Sequence, residues 1–187
     1  MARGEKRERL IKAAQQQMYE QGVAQTTLAN VAKASDVPLG NVYYYFRTKD
    51  ALIDAVLDSR LDEIRSALAR FEQSSSEPLT RLKLLAGSGR AFQNQLARFG
   101  CPYASLCQEL EKQSDLTSDR SGDLFRLYLD WAEQQFRLLG KGDASADLAL
   151  DLLSGMQGAY LLTHSLHTPE FLERKILRLE AWLEDLA

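Results

Sequence analysis

The chain has 187 residues, of which 45% are hydrophobic and 26% are charged, and its formal net charge is −3. This length allows one compact domain, or a small domain fused to a larger one, and the composition is that of an ordinary globular protein. No apolar run is long enough to span a membrane, and the basic N-terminus lacks the apolar core of a signal peptide. The two cysteines form no recognisable disulfide framework. We therefore expect a cytoplasmic protein that makes no membrane contact.

Charge is distributed unevenly along the chain. Residues 1–49 contain eight Lys and Arg and four Asp and Glu, whereas residues 50–187 contain fifteen and twenty-two. The first segment is therefore positive by four charges and the second is negative by seven. A positive segment on an acidic body is typical of a protein that meets a phosphate backbone through one end.

Residues 26–52 predict two short helices joined by a tight turn and followed by a lysine. Thr26 or Thr27 is a candidate N-cap, because a hydroxyl accepts hydrogen bonds from the free amides of a first helical turn. Asp36 tolerates the left-handed backbone that a turn requires. Pro38 suits the start of the second helix, where a missing amide proton costs nothing.

The second of these helices carries three consecutive tyrosines. Val42 and Phe46 lie four residues apart and can share the buried side, which directs Asn41 and Tyr44 elsewhere and leaves Tyr43 at one edge. The amide of Asn41 and the phenols of the tyrosines are uncharged, but such groups can form hydrogen bonds with bases and phosphates. The pattern indicates a helix-turn-helix over about residues 27–46.

This stretch strongly resembles the TetR family of bacterial transcriptional repressors. The matching residues keep fixed spacing over Thr27, Val31-Ala32, Gly40, Val42-Tyr43-Tyr44-Tyr45-Phe46, Thr48-Lys49-Asp50 and Leu52. The rest of the chain is similar to the family only in length and helical character. The resemblance implies an all-α protein of about nine helices. It also implies a helix-turn-helix domain at residues 1–49, a ligand-sensing and dimerisation domain at residues 50–187, and a homodimer formed through the last two helices.

The resemblance also implies a set of DNA contacts. The second helix of the motif would enter the major groove, with Asn41 and Tyr44 against bases. Phosphates would be contacted by Thr27, Tyr43 and Lys49, the last at a helix start whose amides already favour an anion. The chain departs from the usual pattern at three places, which are Ala29, Asp36 and the pair Pro38-Leu39. We therefore expect direct readout to rest on few side chains.

Two helices flank this motif. Residues 5–21 place Leu10, Ile11, Ala14 and Met18 on one apolar stripe, and the basic residues at the start of that helix are either ion-paired on a solvated face or in contact with phosphate. Residues 49–73 predict one long helix with apolar residues at three- and four-residue spacing. In the family such a helix acts as the lever that moves the DNA-binding head.

Residues 79–98 are predicted to be helical, with Leu82, Leu85, Phe92 and Leu96 buried. The sequence Gly87-Ser88-Gly89 interrupts this pattern, and each glycine costs a helix about 1 kcal/mol relative to alanine. Close helix packing, a kink or room for a ligand would each offset that cost.

Cys101 precedes Pro102 and a short predicted helix over residues 103–112. Helix N-termini lower thiol pKa values, which makes Cys101 a possible redox or electrophile sensor, as in some TetR-like proteins with a Gly-Cys-Pro segment. A small buried cysteine that only packs is the competing interpretation. Cys107, in the middle of the helix, is interpreted as structural.

The remaining sequence predicts three helices, over residues 119–139, 144–166 and 169–186. The first carries an apolar face of Leu124, Tyr128, Trp131 and Leu138. The last carries a stripe of Leu172, Ile176, Leu179, Leu183 and Leu186, which needs a cover from this chain's own core or from a second subunit. Candidates for an effector pocket are Phe92, Tyr103, Tyr128, Trp131, Met156 and Tyr160.

No residue set in the sequence supports catalysis or a metal. His164 and His167 are the only histidines, and no metal-binding motif, phosphate loop or nucleophile elbow accompanies them. We therefore predict a protein that is not an enzyme and needs no cofactor or metal.

The prediction from sequence is a homodimeric repressor that binds an inverted repeat in double-stranded DNA and is released by a small-molecule effector. The alternative is a repressor switched by modification of Cys101.

Overall fold

A computed structural model describes residues 3–112 and 118–186. All regular secondary structure in these residues is helical. The α-helices are α1 (Arg3–Gln21), α2 (Leu28–Ala34), α3 (Leu39–Tyr45), α4 (Lys49–Ser74), α5 (Pro78–Gly87), α6 (Gln93–Phe99), α7 (Pro102–Glu111), α8 (Ser118–Ser121), α9 (Asp123–Leu138), α10 (Ser145–Ser165) and α11 (Glu170–Asp185). Short 3₁₀ segments cover Ser88–Phe92 and Gly142–Ala144. Within the described ranges, no helix is both long and apolar enough to cross a membrane.

The all-α fold predicted from the sequence is confirmed. Each of the nine predicted helices is present among the described residues, and two of them are divided. The helix predicted over residues 79–98 is α5, the 3₁₀ segment Ser88–Phe92 and α6. The helix predicted over residues 119–139 is α8 followed by α9. Both breaks fall where glycine weakens a helix, at Gly87–Gly89 and at Gly122.

The chain divides into two compact units. The head unit comprises Met1–Asp62 and Ser105–Leu124, and the body unit comprises Glu63–Ala104 and Phe125–Ala187. Helix α4 therefore contributes residues to both units. Where the functional DNA-binding domain ends is a separate question, and its boundary at residue 49 stays a prediction.

The head unit has an apolar core drawn from all its helices. The predicted stripe of α1 is buried, and so are Val42 of α3 and Phe46, which follows this helix directly. Other fully buried side chains come from α4, α7 and α9, namely Leu52, Ile53, Leu57, Leu110 and Leu124. The two helices of the predicted helix-turn-helix, α2 and α3, are thus anchored to this core by their buried side chains, Val31, Ala32 and Val42.

In the body unit, the apolar stripe of α11 is covered by other helices of the same chain. Leu172, Ile176, Leu179 and Leu183 are buried within this single chain, and α11 packs against α5 and α10. The cover is therefore this chain's own core. The side chains that stay exposed on the last two helices are a different set: Leu150, Leu161, Leu162, Leu166 and Leu177.

Gly87-Ser88-Gly89 is explained by helix interruption and close packing together. The chain changes to 3₁₀ geometry at Ser88. A Cβ atom on Gly89 would lie 2.8 Å from Cε1 and 2.9 Å from the hydroxyl oxygen of Tyr160. The phenol ring of Tyr160 therefore fills the space beside Gly89.

Two predictions of burial are wrong. Phe92 is 60% exposed, because the segment before it turns with about three residues per turn rather than 3.6 and so shifts the face on which residue 92 lies. Leu138 is 59% exposed at the last residue of α9, where Phe136 is buried in its place.

Candidate functional site

The helix-turn-helix begins with two threonines that have different roles. Thr27 is the N-cap of α2, and its Oγ1 accepts a hydrogen bond from the amide of Asn30 at 3.1 Å. Thr26 is fully buried, and its hydroxyl donates to the carbonyl oxygen of Gly22 at 2.9 Å. Thr27 remains exposed, which leaves its side chain on the surface where a phosphate contact was predicted.

The turn between α2 and α3 has the backbone that the sequence predicted. Asp36 adopts a positive φ of 51°, the left-handed conformation that Asp tolerates better than most residues. The guanidinium of Arg9, on α1, donates to the carbonyl oxygens of Ser35 and Asp36. Its Nη2 also lies 3.6 Å from the Asp36 carboxylate. Arg9 therefore holds the turn in place, a role that its position in a basic cluster did not indicate.

Helix α3 buries Val42 and presents a continuous outer face. Leu39, Gly40, Tyr43 and Tyr44 are all exposed, and they lie at positions that share one side of a helix. The helix contains no charged residue. Asn41 is only half-buried and lies at the edge of this face.

The start of α4 brings a cation to the same unit. Thr48 Oγ1 accepts a hydrogen bond from the amide of Ala51 and so caps the helix. The ammonium of Lys49 donates to the carbonyl oxygen of Ala24 at 3.2 Å, in the turn between α1 and α2. Arg47, which the sequence interpretation left without a role, is exposed between α3 and α4.

The basic residues of α1 make contacts of more than one kind. Lys12 pairs with Glu8 at 3.1 Å, as a solvated helix face would. The guanidinium of Arg7 lies 5.5 Å from the centroid of the Phe46 ring, a cation–π distance. Packing against the motif is thus a third role for this cluster.

A carboxylate from the α7 helix binds the turn between α1 and α2. The amide of Val23 donates to Glu109 Oε2 at 2.6 Å. Gly22 has a φ of 88°, and a Cβ atom there would lie 2.9 Å from the same oxygen. Glycine is therefore required by both the backbone and the carboxylate. No pattern in the sequence marks this contact, since the two residues that form it are far apart in the chain.

Comparisons with known proteins agree with this geometry. Residues 10–56 match the model of bacterial regulatory proteins of the tetR family. The regulator TtgR of Pseudomonas putida is 42% identical over 73 residues, which are 39% of this chain and 34% of TtgR. The chain thus matches about a third of that relative's length. Residues 10–56 are therefore similar to the segment that defines the tetR family of bacterial regulatory proteins.

Longer but weaker similarities extend beyond residues 10–56. The transcriptional repressor DhaR of a Mycobacterium species is 24% identical over 163 residues, which are 87% of this chain and 79% of DhaR. The crystal structure of SCO4454, a TetR-family regulator from Streptomyces coelicolor, has a TM-score of 0.82 at 22% identity and covers 98% of this chain and 96% of its own. The fold of this regulator is therefore shared over 98% of the chain.

Three tyrosines form a cluster in the body unit. The Tyr103 and Tyr128 rings lie 6.1 Å apart between centroids. Burial raises the pKa of Tyr128 far above its ordinary value, and the neighbouring Tyr103 adds to that effect. Burial also raises the pKa of Tyr160, to about 12, although a hydrogen bond with Ser88 opposes the shift. The structure therefore places three of the six predicted pocket residues, Tyr103, Tyr128 and Tyr160, near one another.

The other three predicted pocket residues lie in different surroundings. Trp131 donates from its indole nitrogen to Glu72 at 2.8 Å and packs 6.0 Å from the Phe71 ring. Met156 is buried, one turn before Tyr160 on α10. Phe92 is exposed. A separate open groove is lined by Asp151, Lys175, Arg178, Leu179 and Trp182. None of these was among the six residues predicted to line the effector pocket.

Cys101 is buried, and it is among the groups that raise the pKa values of Tyr128 and Tyr160. Cys107 is also buried, and its thiol donates to the carbonyl oxygen of Ser121 at 3.1 Å. Burial limits the access of oxidants and electrophiles to a thiol. Cys101 thus lies beside the tyrosine cluster as a packed side chain.

Proposed function

We propose that this chain is a sequence-specific, double-stranded DNA-binding repressor of transcription. The observation that carries the proposal is the outer face of α3. Val42 and Phe46 anchor the helix, so that Tyr43, Tyr44 and the edge residue Asn41 are held on a fixed surface. In a helix-turn-helix, the second helix lies in the major groove and reads base edges. Its relative DhaR is named a transcriptional repressor.

The predicted DNA contacts divide into readout and positioning. Asn41 and Tyr44 are proposed to contact bases, because an amide pairs with adenine and a phenol reaches base edges. Thr27, Tyr43 and Lys49 are proposed to contact phosphates, which hold the protein in register without reading sequence. The bond from Lys49 to the carbonyl of Ala24 keeps that ammonium near the motif.

We propose that the protein acts as a homodimer. One seven-residue recognition helix reads few base pairs, so that tight binding needs two half-sites related by a twofold axis. Leu150 and Leu161 are eleven residues apart on α10, which places them on one side of the helix, and both are exposed. A second copy of α10 and α11 would cover this face.

The effector site is proposed to lie at the tyrosine cluster of the body unit. Tyr103, Tyr128 and Tyr160 supply hydroxyl groups in apolar surroundings, which is the composition of a small-molecule site. An effector that binds one conformation of the body better than another would shift the population and lower DNA affinity by the same free-energy difference. Helix α4, about 39 Å long at 1.5 Å per residue, is the proposed lever.

A switch based on modification of Cys101 is the alternative. Treatment of Cys101→Ser protein with an electrophile separates the two, because release from DNA that persists in this variant excludes Cys101 as the sensor. The burial of Cys101 favours the reversible effector.

Selection of bound sequences from random double-stranded DNA tests the proposed function. We expect enrichment of an inverted repeat whose half-site centres are about one helical turn apart, or a multiple of that distance. Lys49→Ala should recover the same sequence with lower yield, since a phosphate contact carries no sequence information. A pool that stays random after several rounds would show that the helix-turn-helix serves only as a scaffold.

A further inference from the structure

The outer face of α3 is unusual because its first exposed side chain is apolar. Leu39 is 40% exposed at the N-terminal residue of the helix. Tyr43, one turn later, is exposed on the same side. Neither residue supports the core, which α3 contacts through Val42. Leu39 therefore leaves 40% of its surface exposed on the face that is proposed to meet DNA.

The surface around Leu39 allows close approach. Apart from its two chain neighbours and the backbone of the helix, nothing lies within 4 Å of where a Cβ atom would stand on Gly40. Pro38 and Ala29 are also exposed and apolar. Pro38, Leu39 and Gly40 are thus three consecutive exposed residues with neither a charged nor a hydrogen-bonding side chain.

The chemistry of the major groove limits what a leucine can read there. Base edges present hydrogen-bond donors and acceptors, and the one apolar group among the four standard bases is the C5-methyl group of thymine. We propose that Leu39 is a specificity-determining residue that packs against a thymine methyl group in each operator half-site. This inference rests on the proposed function, and it assigns a base and a chemical group to a residue that the DNA-contact prediction did not include.

The position of Asn41 fits the same kind of base pair. An amide pairs with the N6 and N7 edge of adenine, whereas a leucine meets the methyl group of thymine. Asn41 follows Leu39 by two residues, at the edge of the same outer face. Both readings favour A·T pairs, so that the half-site contacted by the start of α3 is expected to contain them.

Replacement of thymine by deoxyuridine removes only the methyl group and tests this contact. Each thymine of the selected operator is replaced singly, and affinities are measured for the wild type and for Leu39→Ala. We expect one or two positions per half-site where the wild type loses about three- to fivefold, which is the effect of one buried methyl group. At those positions Leu39→Ala should bind the thymine and deoxyuridine forms equally. Leu39→Met, which restores an apolar side chain, should regain the difference.

Leu84→Ala is the matched control, because Leu84 is a leucine of similar exposure (38%) on α5. It should keep the full thymine preference. Equal responses of the wild type and Leu39→Ala to deoxyuridine at every position would overturn the inference. That result is distinguishable from failure of the proposed function, since it requires an operator to have been selected first.

Discussion

At the scale of single residues, Tyr160 shows how close packing changes the pKa of a side chain. Its ring fills the space beside Gly89, at distances where any other residue at position 89 would collide with it. Burial raises its pKa to about 12, above its ordinary value of 10.0. The folded state therefore holds the phenolic proton more tightly than the unfolded state does. The resulting stabilisation is complete below pH 10 and disappears as the pH rises towards 12.

Tyr160→Phe tests this assignment. The free energy of unfolding of the wild type should fall by about 2 kcal/mol more than that of Tyr160→Phe between pH 10 and pH 12. Denaturant unfolding followed by circular dichroism at a series of pH values measures the difference. Tyr43→Phe, which alters an exposed tyrosine, is the control and should follow the wild type. Parallel pH profiles for the wild type and Tyr160→Phe would show that the phenol ionises equally in both states.

Residues with local causes were predictable from the sequence. The N-cap at Thr27, the left-handed backbone at Asp36 and the inward pair Val42 and Phe46 all follow from chemistry within a few neighbouring positions. Phe92 was not predictable in this way. Its exposure depends on a change from α-helical to 3₁₀ geometry at Ser88. A prediction from helical periodicity assumes a continuous α-helix and therefore places Phe92 on the wrong face.

At the scale of elements, α7 is the helix whose contacts the sequence did not indicate. Its first turn carries Tyr103, and its last turn carries Glu109, whose carboxylate binds the amide of Val23. The two partners are 86 positions apart in the sequence, which excludes any local signal.

Glu109→Ala should loosen the turn between α1 and α2. A hydrogen bond to a charged group contributes about 1.5–3 kcal/mol, and its loss should speed hydrogen exchange at the Val23 amide about tenfold or more. Exchange measured by NMR or mass spectrometry reports this directly. Glu109→Gln keeps an acceptor oxygen and should restore part of the protection. Gln108→Ala, an exposed neighbour on α7, should change nothing. If the Val23 amide exchanged equally slowly in Glu109→Ala and in the wild type, the carboxylate of Glu109 would not be what stabilises this turn.

A second long-range connection in the head unit involves charge. Arg120 donates to Asp54 at 3.1 Å and to Asp58 at 2.5 Å, both on α4. In the body unit, Arg90 makes ion pairs of 2.9 Å with Glu173 and 2.7 Å with Glu180, both on α11. The sequence shows the charges but not their partners, because each pair joins elements that only the fold brings together.

At the scale of the whole molecule, the resemblance and the charge asymmetry predicted the fold class and the place of the recognition motif. They did not predict which apolar side chains of the last two helices would stay exposed on the surface of the single chain. The stripe of α11 reads as a candidate interface in sequence, yet this chain buries it in its own core. The exposed leucines of α10 become visible as a surface only once that core is known.

Leu161→Asp tests the proposed homodimer. Leu161 is 62% exposed, so that a charge there should leave the fold of the single chain intact while opposing burial against a second copy. We expect sedimentation to show a monomer, with helical circular dichroism retained and operator affinity lost. The control is Leu138→Asp, a leucine of similar exposure (59%) on α9, which should remain dimeric. A dimeric Leu161→Asp protein would place the interface elsewhere.

The central claim is that the outer face of α3 reads DNA sequence while Lys49 only positions the protein. Its most direct test is the ratio of affinities for the selected operator and for random DNA, measured by fluorescence anisotropy at several salt concentrations. We predict a wild-type ratio of about 10³ or more, which Asn41→Ala lowers with little change in binding to random DNA. Lys49→Ala should weaken binding to both DNAs and reduce the salt slope by about one. An equal loss on operator and random DNA for Asn41→Ala would contradict the account.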